Sequence, residues 1–107
     1  MQPTCVERLN SRAKPLEDIW AYWLCSEHGE ASRILNISLG GLFLETPKLW
    51  VIGSRAQVYF LVQEGQIRAE AVIRHIKPGH GLGLKFIAVR DSDRLHLIDL
   101  MRRLCSL

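Results

Sequence analysis

The chain has 107 residues, 48% hydrophobic and 23% charged, which fits one compact soluble domain able to bury a modest core without a disulfide or metal staple. Fourteen basic against 11 acidic residues leave a net charge of +3, too mild to single out an anionic partner. No apolar run is long enough to span a membrane, and Met1-Gln2-Pro3-Thr4 opens onto charged residues instead of a signal-peptide core, so no membrane insertion is expected and a cytoplasmic location is the default.

Residues 1–15 carry few apolar side chains and end at Pro15, which predicts a flexible arm with little reason to pack. The aromatic run Ile19-Trp20-Ala21-Tyr22-Trp23-Leu24 predicts a strand over 18–25, closed by the turn-like Ser26-Glu27-His28-Gly29-Glu30. A second strand is expected over 32–37, and a third over 41–45, ended by Thr46-Pro47 because proline cannot donate into a ladder. Ala56, Val58, Phe60 and Val62 then alternate with Gln57, Tyr59 and Leu61, and a period of two returns across 67–74, so these two runs read as a hairpin about Gln63-Glu64-Gly65-Gln66. After the break at Pro78-Gly79-His80-Gly81, residues 82–88 read as a sixth strand in which Gly83 admits a close neighbour. Six strands with short connections suggest a barrel spanning 17–88.

The tail differs in kind. Asp91-Ser92-Asp93 offers an N-cap and first-turn acids, and Leu97, Ile98, Met101, Leu104 and Cys105 recur at helical spacing over 91–106. The apolar stripe is expected to cover the barrel, and Arg102-Arg103 to oppose the helix dipole. Cys5, Cys25 and Cys105 are odd in number and widely spaced, which suits reduced thiols, with Cys25 and Cys105 in or near the core.

Between the second and third strands stands Asn36-Ile37-Ser38-Leu39-Gly40-Gly41. On spacing alone this is turn chemistry, with short polar side chains bonding nearby backbone and glycines allowing close approach. Upstream lies Arg8-Leu9-Asn10-Ser11-Arg12. An Arg-x-x-x-Arg arm followed by an Asn-x-Ser-x-x-Gly turn, in this order and with an all-β pattern and a terminal helix, resembles the PilZ domain family. The resemblance extends through Leu42-Phe43-Leu44 and Gly81-Leu82-Gly83-Leu84-Lys85-Phe86 and covers nearly the whole chain.

That resemblance implies an all-β, six-stranded antiparallel β-barrel that binds the bacterial second messenger cyclic di-GMP. By position, Arg8 and Arg12 match the family's arm, and Asn36, Ser38 and Gly41 match its turn. The chemistry agrees: a guanidinium can meet the adjacent O6 and N7 acceptors of guanine with two bonds or stack on the purine face. Arginine charge offsets phosphate, Asn36 and Ser38 offer directed hydrogen bonds, and Gly41 leaves room for the ligand against the backbone. The arm is expected to close over the ligand, ordering residues 6–14 and altering contact with an effector protein that the sequence does not name. Glu7 stands where many members carry a further arginine, and an acid beside phosphate weakens binding by about 1 kcal/mol or less at an exposed site.

Other chemistry is thinly represented. His28, His75, His80 and His96 show no ligand spacing with the cysteines, so no metal is expected, and Arg74 is an outside candidate for an extra ligand contact. Gly79-His80-Gly81-Leu82-Gly83 opens a strand instead of a helix and fails as a phosphate loop. No nucleophile with a base is visible, so no enzyme is expected. Two rivals stay open: a barrel of the same family that serves only as a protein-interaction module, and a small barrel that binds single-stranded nucleic acid. The second needs aromatics interleaved with basic residues, and Trp20 and Tyr22 have no such neighbours in the chain, so no nucleic-acid partner is expected. Nothing in the sequence decides between a monomer and a homodimer.

Overall fold

The computed structural model describes residues 11–15 and 17–105. Six strands, β1 (Trp20–Cys25), β2 (His28–Ser38), β3 (Gly41–Glu45), β4 (Arg55–Val62), β5 (Gly65–Lys77) and β6 (Gly81–Val89), are followed by helix α1 (Asp91–Cys105). All pair antiparallel, in the order β1-β2-β3-β6-β5-β4, and β4 returns to β1 to close the barrel. The expected fold class is therefore the one observed.

Alternation builds the core. On β1 the inward set is Ala21, Trp23 and Cys25, while Trp20, Tyr22 and Leu24 point out; on β4 Ala56, Val58 and Phe60 are buried between exposed Gln57, Tyr59 and Leu61. Burying a side chain such as Val58 or Phe60 contributes roughly 1.5–3 kcal/mol. Trp23, fully buried, satisfies its indole by donating to Ser32 Oγ at 2.9 Å, because an unmade bond there would cost about 1–3 kcal/mol.

Three boundaries move. β2 begins at His28, since His28, Gly29 and Glu30 find partners in Cys25, Leu24 and Trp23, and the expected five-residue turn contracts to Ser26-Glu27 with Ser26 at φ 57°. β5 runs from Gly65 to Lys77, bent by irregularities at Glu70/Ala71 and Ile73/His75 that let one strand follow both β4 and β6. The arm was expected not to pack, yet half-buried Ala13 bridges to Ile37 through two backbone hydrogen bonds of 2.8 and 2.9 Å. The bridge is available because Ile37 N–H and C=O are not consumed by β3 on that side.

Helix α1 closes one end. It buries Leu97, Leu100, Met101 and Leu104, whereas Ile98 and Cys105 are only half-buried. The inward line thus includes Leu100 in place of two residues of the expected stripe, because the helix presents the spacing 93, 97, 100, 104 to the barrel. Asp93 lies on that line and is 1% exposed. Its carboxylate accepts from Arg68 Nε at 2.8 Å and from the Arg68 backbone N–H at 3.0 Å, and the Arg68 guanidinium bond holds the Asp93 carboxyl below the ordinary carboxylate value. At the other end of α1, Arg103 donates to Glu64 in the β4–β5 turn at 2.6 Å and to Glu17 at 3.1 Å. Arg103 therefore fastens two segments as well as opposing the helix dipole.

The opposite end is closed by the loop between β3 and β4. Trp50 packs edge-on against Trp23 with centroids 4.9 Å apart. Trp23 is core, Trp50 is rim and Trp20 stands outside, 54% exposed.

Candidate functional site

The turn joining β2 to β3 lies at the helix end of the barrel. Ser38 is buried, and its hydroxyl accepts from Gly40 N–H at 3.2 Å while donating to the Gly41 carbonyl at 3.4 Å. Its oxygen thus holds the turn in shape. Gly41 pairs with Lys85 across the β3–β6 ladder, and a Cβ there would collide with the Leu84 carbonyl. The missing side chain of Gly41 thus has a structural use as well, since the space a Cβ would fill is taken by the neighbouring strand.

The arm meets this turn from above. Arg12 Nη1 donates to Asn36 Oδ1 at 2.8 Å, one residue before the Ala13–Ile37 bridge fixes the backbone. Arg12 is exposed and Asn36 half-buried. A guanidinium has five N–H donors in a planar fork, so the bond to Asn36 leaves further donors for an acceptor in front of the turn. The structure therefore joins Arg12 and Asn36 directly and carries Ser38 and Gly41 in the same turn. Arg8, like Glu7, lies outside the described residues.

The strands add features the motif does not name. A Cβ on Gly83 would stand 3.2 Å from the His75 Cβ and 3.6 Å from the ring of Phe43, and one on Gly81 would stand 2.6 Å from that ring, so the close neighbours expected along β6 are His75 and Phe43. Lys85, opposite Gly41, is exposed and sets a cation beside the turn. The signal for it in the sequence is its place two residues after Gly83 on the same strand face. The turn is also bolted to the helix junction: the Gly40 carbonyl accepts from Phe86 N–H at 2.8 Å, and Leu39 lines a cleft of about 320 Å³ with Phe86, Leu97 and Ile98. Leu39, apolar inside a polar turn, was the legible hint.

The remaining candidates separate. Arg74 is exposed on β5. His28, His75 and His80 are exposed and His96 Nδ1 lies 2.7 Å from the Gln66 carbonyl; among the described residues no three His, Cys, Asp or Glu side chains gather as metal ligands. Cys25, 2% exposed, packs in the core. Among the described residues no helix is long and apolar enough to cross a membrane.

The interior of the barrel is filled by side chains, and the polar motif lies on an outer turn. The model of the PilZ domain matches residues 8–103, and the chain belongs to that family. No curated protein matches the sequence. Among solved structures, the inhibitor of motility MotI/DgrA of Bacillus subtilis superposes with a TM-score of 0.73 at 18% identity, over 96% of this chain and 51% of that one. The PilZ domain of YcgR from Escherichia coli, solved with c-di-GMP, gives 0.70 at 23% identity over 88% of each chain. MrkH of K. pneumonia in its apo state gives 0.70 at 16% identity, over 88% of this chain and 49% of that one. The chain thus spans about half the length of the motility inhibitor and of MrkH.

Proposed function

We propose that this domain is a receptor for cyclic di-GMP, reading the nucleotide with the arm and the β2–β3 turn and passing the signal on through contact with an effector protein. The observation that carries the reading is the Arg12–Asn36 bond of 2.8 Å, which sets the arm's arginine over the turn. Family membership supports it, as do the YcgR domain and the Borreliella burgdorferi PlzA protein, both solved with c-di-GMP. In this reading Arg12 stacks on or forks to a guanine, Lys85 offsets phosphate charge, and the Asn36 amide meets a base edge or phosphate. Ser38 and Gly41 act one step back, as the hydroxyl and the missing side chain that shape the turn. Arg8 joins the site by its motif position. The domain works as a binder and not as a catalyst.

The rival reading, an interaction module without nucleotide, draws on the same turn, because Ser38 and Gly41 have structural uses that would keep them in either case. Calorimetric titration of cyclic di-GMP into wild type and Arg12→Ala, with GTP as control, separates the two. Saturable heat that the variant loses supports the receptor; no heat in a folded wild-type sample leaves the interaction module.

A further inference from the structure

β1 and β4 form one outer wall of the barrel, across from β3 and β6. It carries Trp20, Tyr22, Leu24, Tyr59 and Leu61, exposed by 54, 54, 38, 39 and 66%, which is half of the ten large hydrophobic side chains exposed among the described residues. Contiguous apolar surface of this kind marks an interaction site, and Trp, Tyr and Arg are the residues that dominate such contacts. Tyr22 and Tyr59 face each other in the ladder. Tyr22 also leans across Gly29, where any Cβ would collide with its hydroxyl, so its ring is held ready and loses little freedom on contact.

Beside the tyrosines runs a groove of about 510 Å³ whose rim includes Arg68, Glu70 and Arg90. Charge of both signs recurs around the patch: Arg33 lies over the Trp20 ring at 5.6 Å with Asp18 3.8 Å from its Nε, and Arg55 pairs with Glu70 at 3.0 Å. The cross-strand placement of arginines beside Trp20 and Tyr59 supplies the interleaving that the linear sequence lacks, yet Glu70 and Asp18 stand among them. A polyanion would have to pass those carboxylates. A surface that meets its own copy needs both signs, because every residue is presented in both directions across a two-fold contact.

We infer that this face is where two copies of the chain associate, β1 and β4 of one against β1 and β4 of the other. Among the described strands each pairs with a neighbour on both sides, and the end of β2 that extends beyond β1 is taken by Ala13, so association here uses a face. The three aromatics, each about half exposed, contribute roughly 300 Å² at about 200 Å² per buried ring system, and the leucines and arginine stems add to that without reaching much beyond the ~800 Å² per partner of a standard interface. The dimer is weak and concentration-dependent. The patch residues include none of Arg12, Asn36, Ser38, Gly41 and Lys85, so the proposal does not rest on nucleotide binding.

Sedimentation equilibrium without nucleotide, from about 10 μM to about 1 mM, the range a contact of this size occupies, tests the assignment. Wild type should move from monomer to dimer mass, and Tyr59→Glu and Leu61→Glu should each weaken association at least tenfold. Leu61 points outward, so Leu61→Glu keeps the fold, as circular dichroism checks. A wild type monomeric throughout overturns the proposal, as does a dimer indifferent to both variants. Salt-sensitive binding of a labelled oligothymidylate by monomeric wild type, lost in Tyr59→Glu, would assign the face to nucleic acid instead.

Discussion

The bond from Arg12 to Asn36 joins an exposed guanidinium to a half-buried amide, and exposed polar contacts of this sort add roughly 0–1 kcal/mol to folding. Arg12→Ala should therefore leave the melting temperature nearly unchanged while nucleotide titration shows at least a tenfold loss. Gly41→Ala should do the reverse. Its Cβ meets the Leu84 carbonyl, a backbone group that cannot swing away, and overpacking of this kind costs about 1–3 kcal/mol, to be read as a lowered melting temperature. Ser26, the one non-glycine residue at positive φ among those described, makes a third case: Ser26→Gly should relieve part of the roughly 1–2 kcal/mol that an L-residue loses in this region and raise the midpoint of denaturation. Arg12 and Asn36 were legible in the sequence because their chemistry is local to a motif. The duty of Gly41 was not, since the group it accommodates is contributed by a residue 43 positions further along the chain.

Among the elements, α1 depends on two ion pairs that titrate. Arg68 lowers the Asp93 carboxyl below its usual 3.8, and Arg103 lowers Glu64 below its usual 4.5. A carboxyl whose folded value is depressed stabilises the fold above the ordinary carboxylate range and loses that contribution as pH falls through the depressed value. Stability should thus be flat near neutrality and fall below about pH 4, by a gradient that Asp93→Asn partly removes when denaturation is followed against pH. The same substitution costs about 2 kcal/mol at neutral pH, because it weakens the acceptor of the Arg68 backbone N–H. Element existence was readable from alternation on β4 and β5 and from the apolar repeat of α1. The added residues at the start of β2 and the length of β5 were not, since Gly29 and Glu30 are poor strand formers that tertiary pairing places in a ladder, and β5 continues past its period of two by pairing with β6. Asp93 likewise read as a helix-start acid, and only its 1% exposure reveals it as the lock between helix and barrel.

At the scale of the molecule, the barrel has two different closures. One is the amphipathic helix; the other is a loop that lays Trp50 on Trp23. Trp50→Ala should cost about 2–3 kcal/mol, less than the 3–5 of a fully buried aromatic because Trp50 is half-exposed, and the red shift of Trp23 emission on admitting water reports it. The turn that reads the arm and the helix that closes the barrel share a neighbour in Phe86, through the Gly40 carbonyl and the Leu39 cleft. A ligand that shifts the turn therefore acts on the helix junction, and amide exchange at Phe86 and in the last turns of α1 should change on adding nucleotide.

Inward and outward residues alternate so strictly along β1 and β4 that the side chains which hold the barrel and those which greet other molecules form nearly separate sets. A substitution on the outer wall can then be tested by natural selection for what it recognises without first risking collapse. Such a scaffold drifts easily: identities of 16–23% accompany TM-scores of 0.70–0.73 among the relatives compared above, and new surfaces can arise on one wall while an older one persists on another.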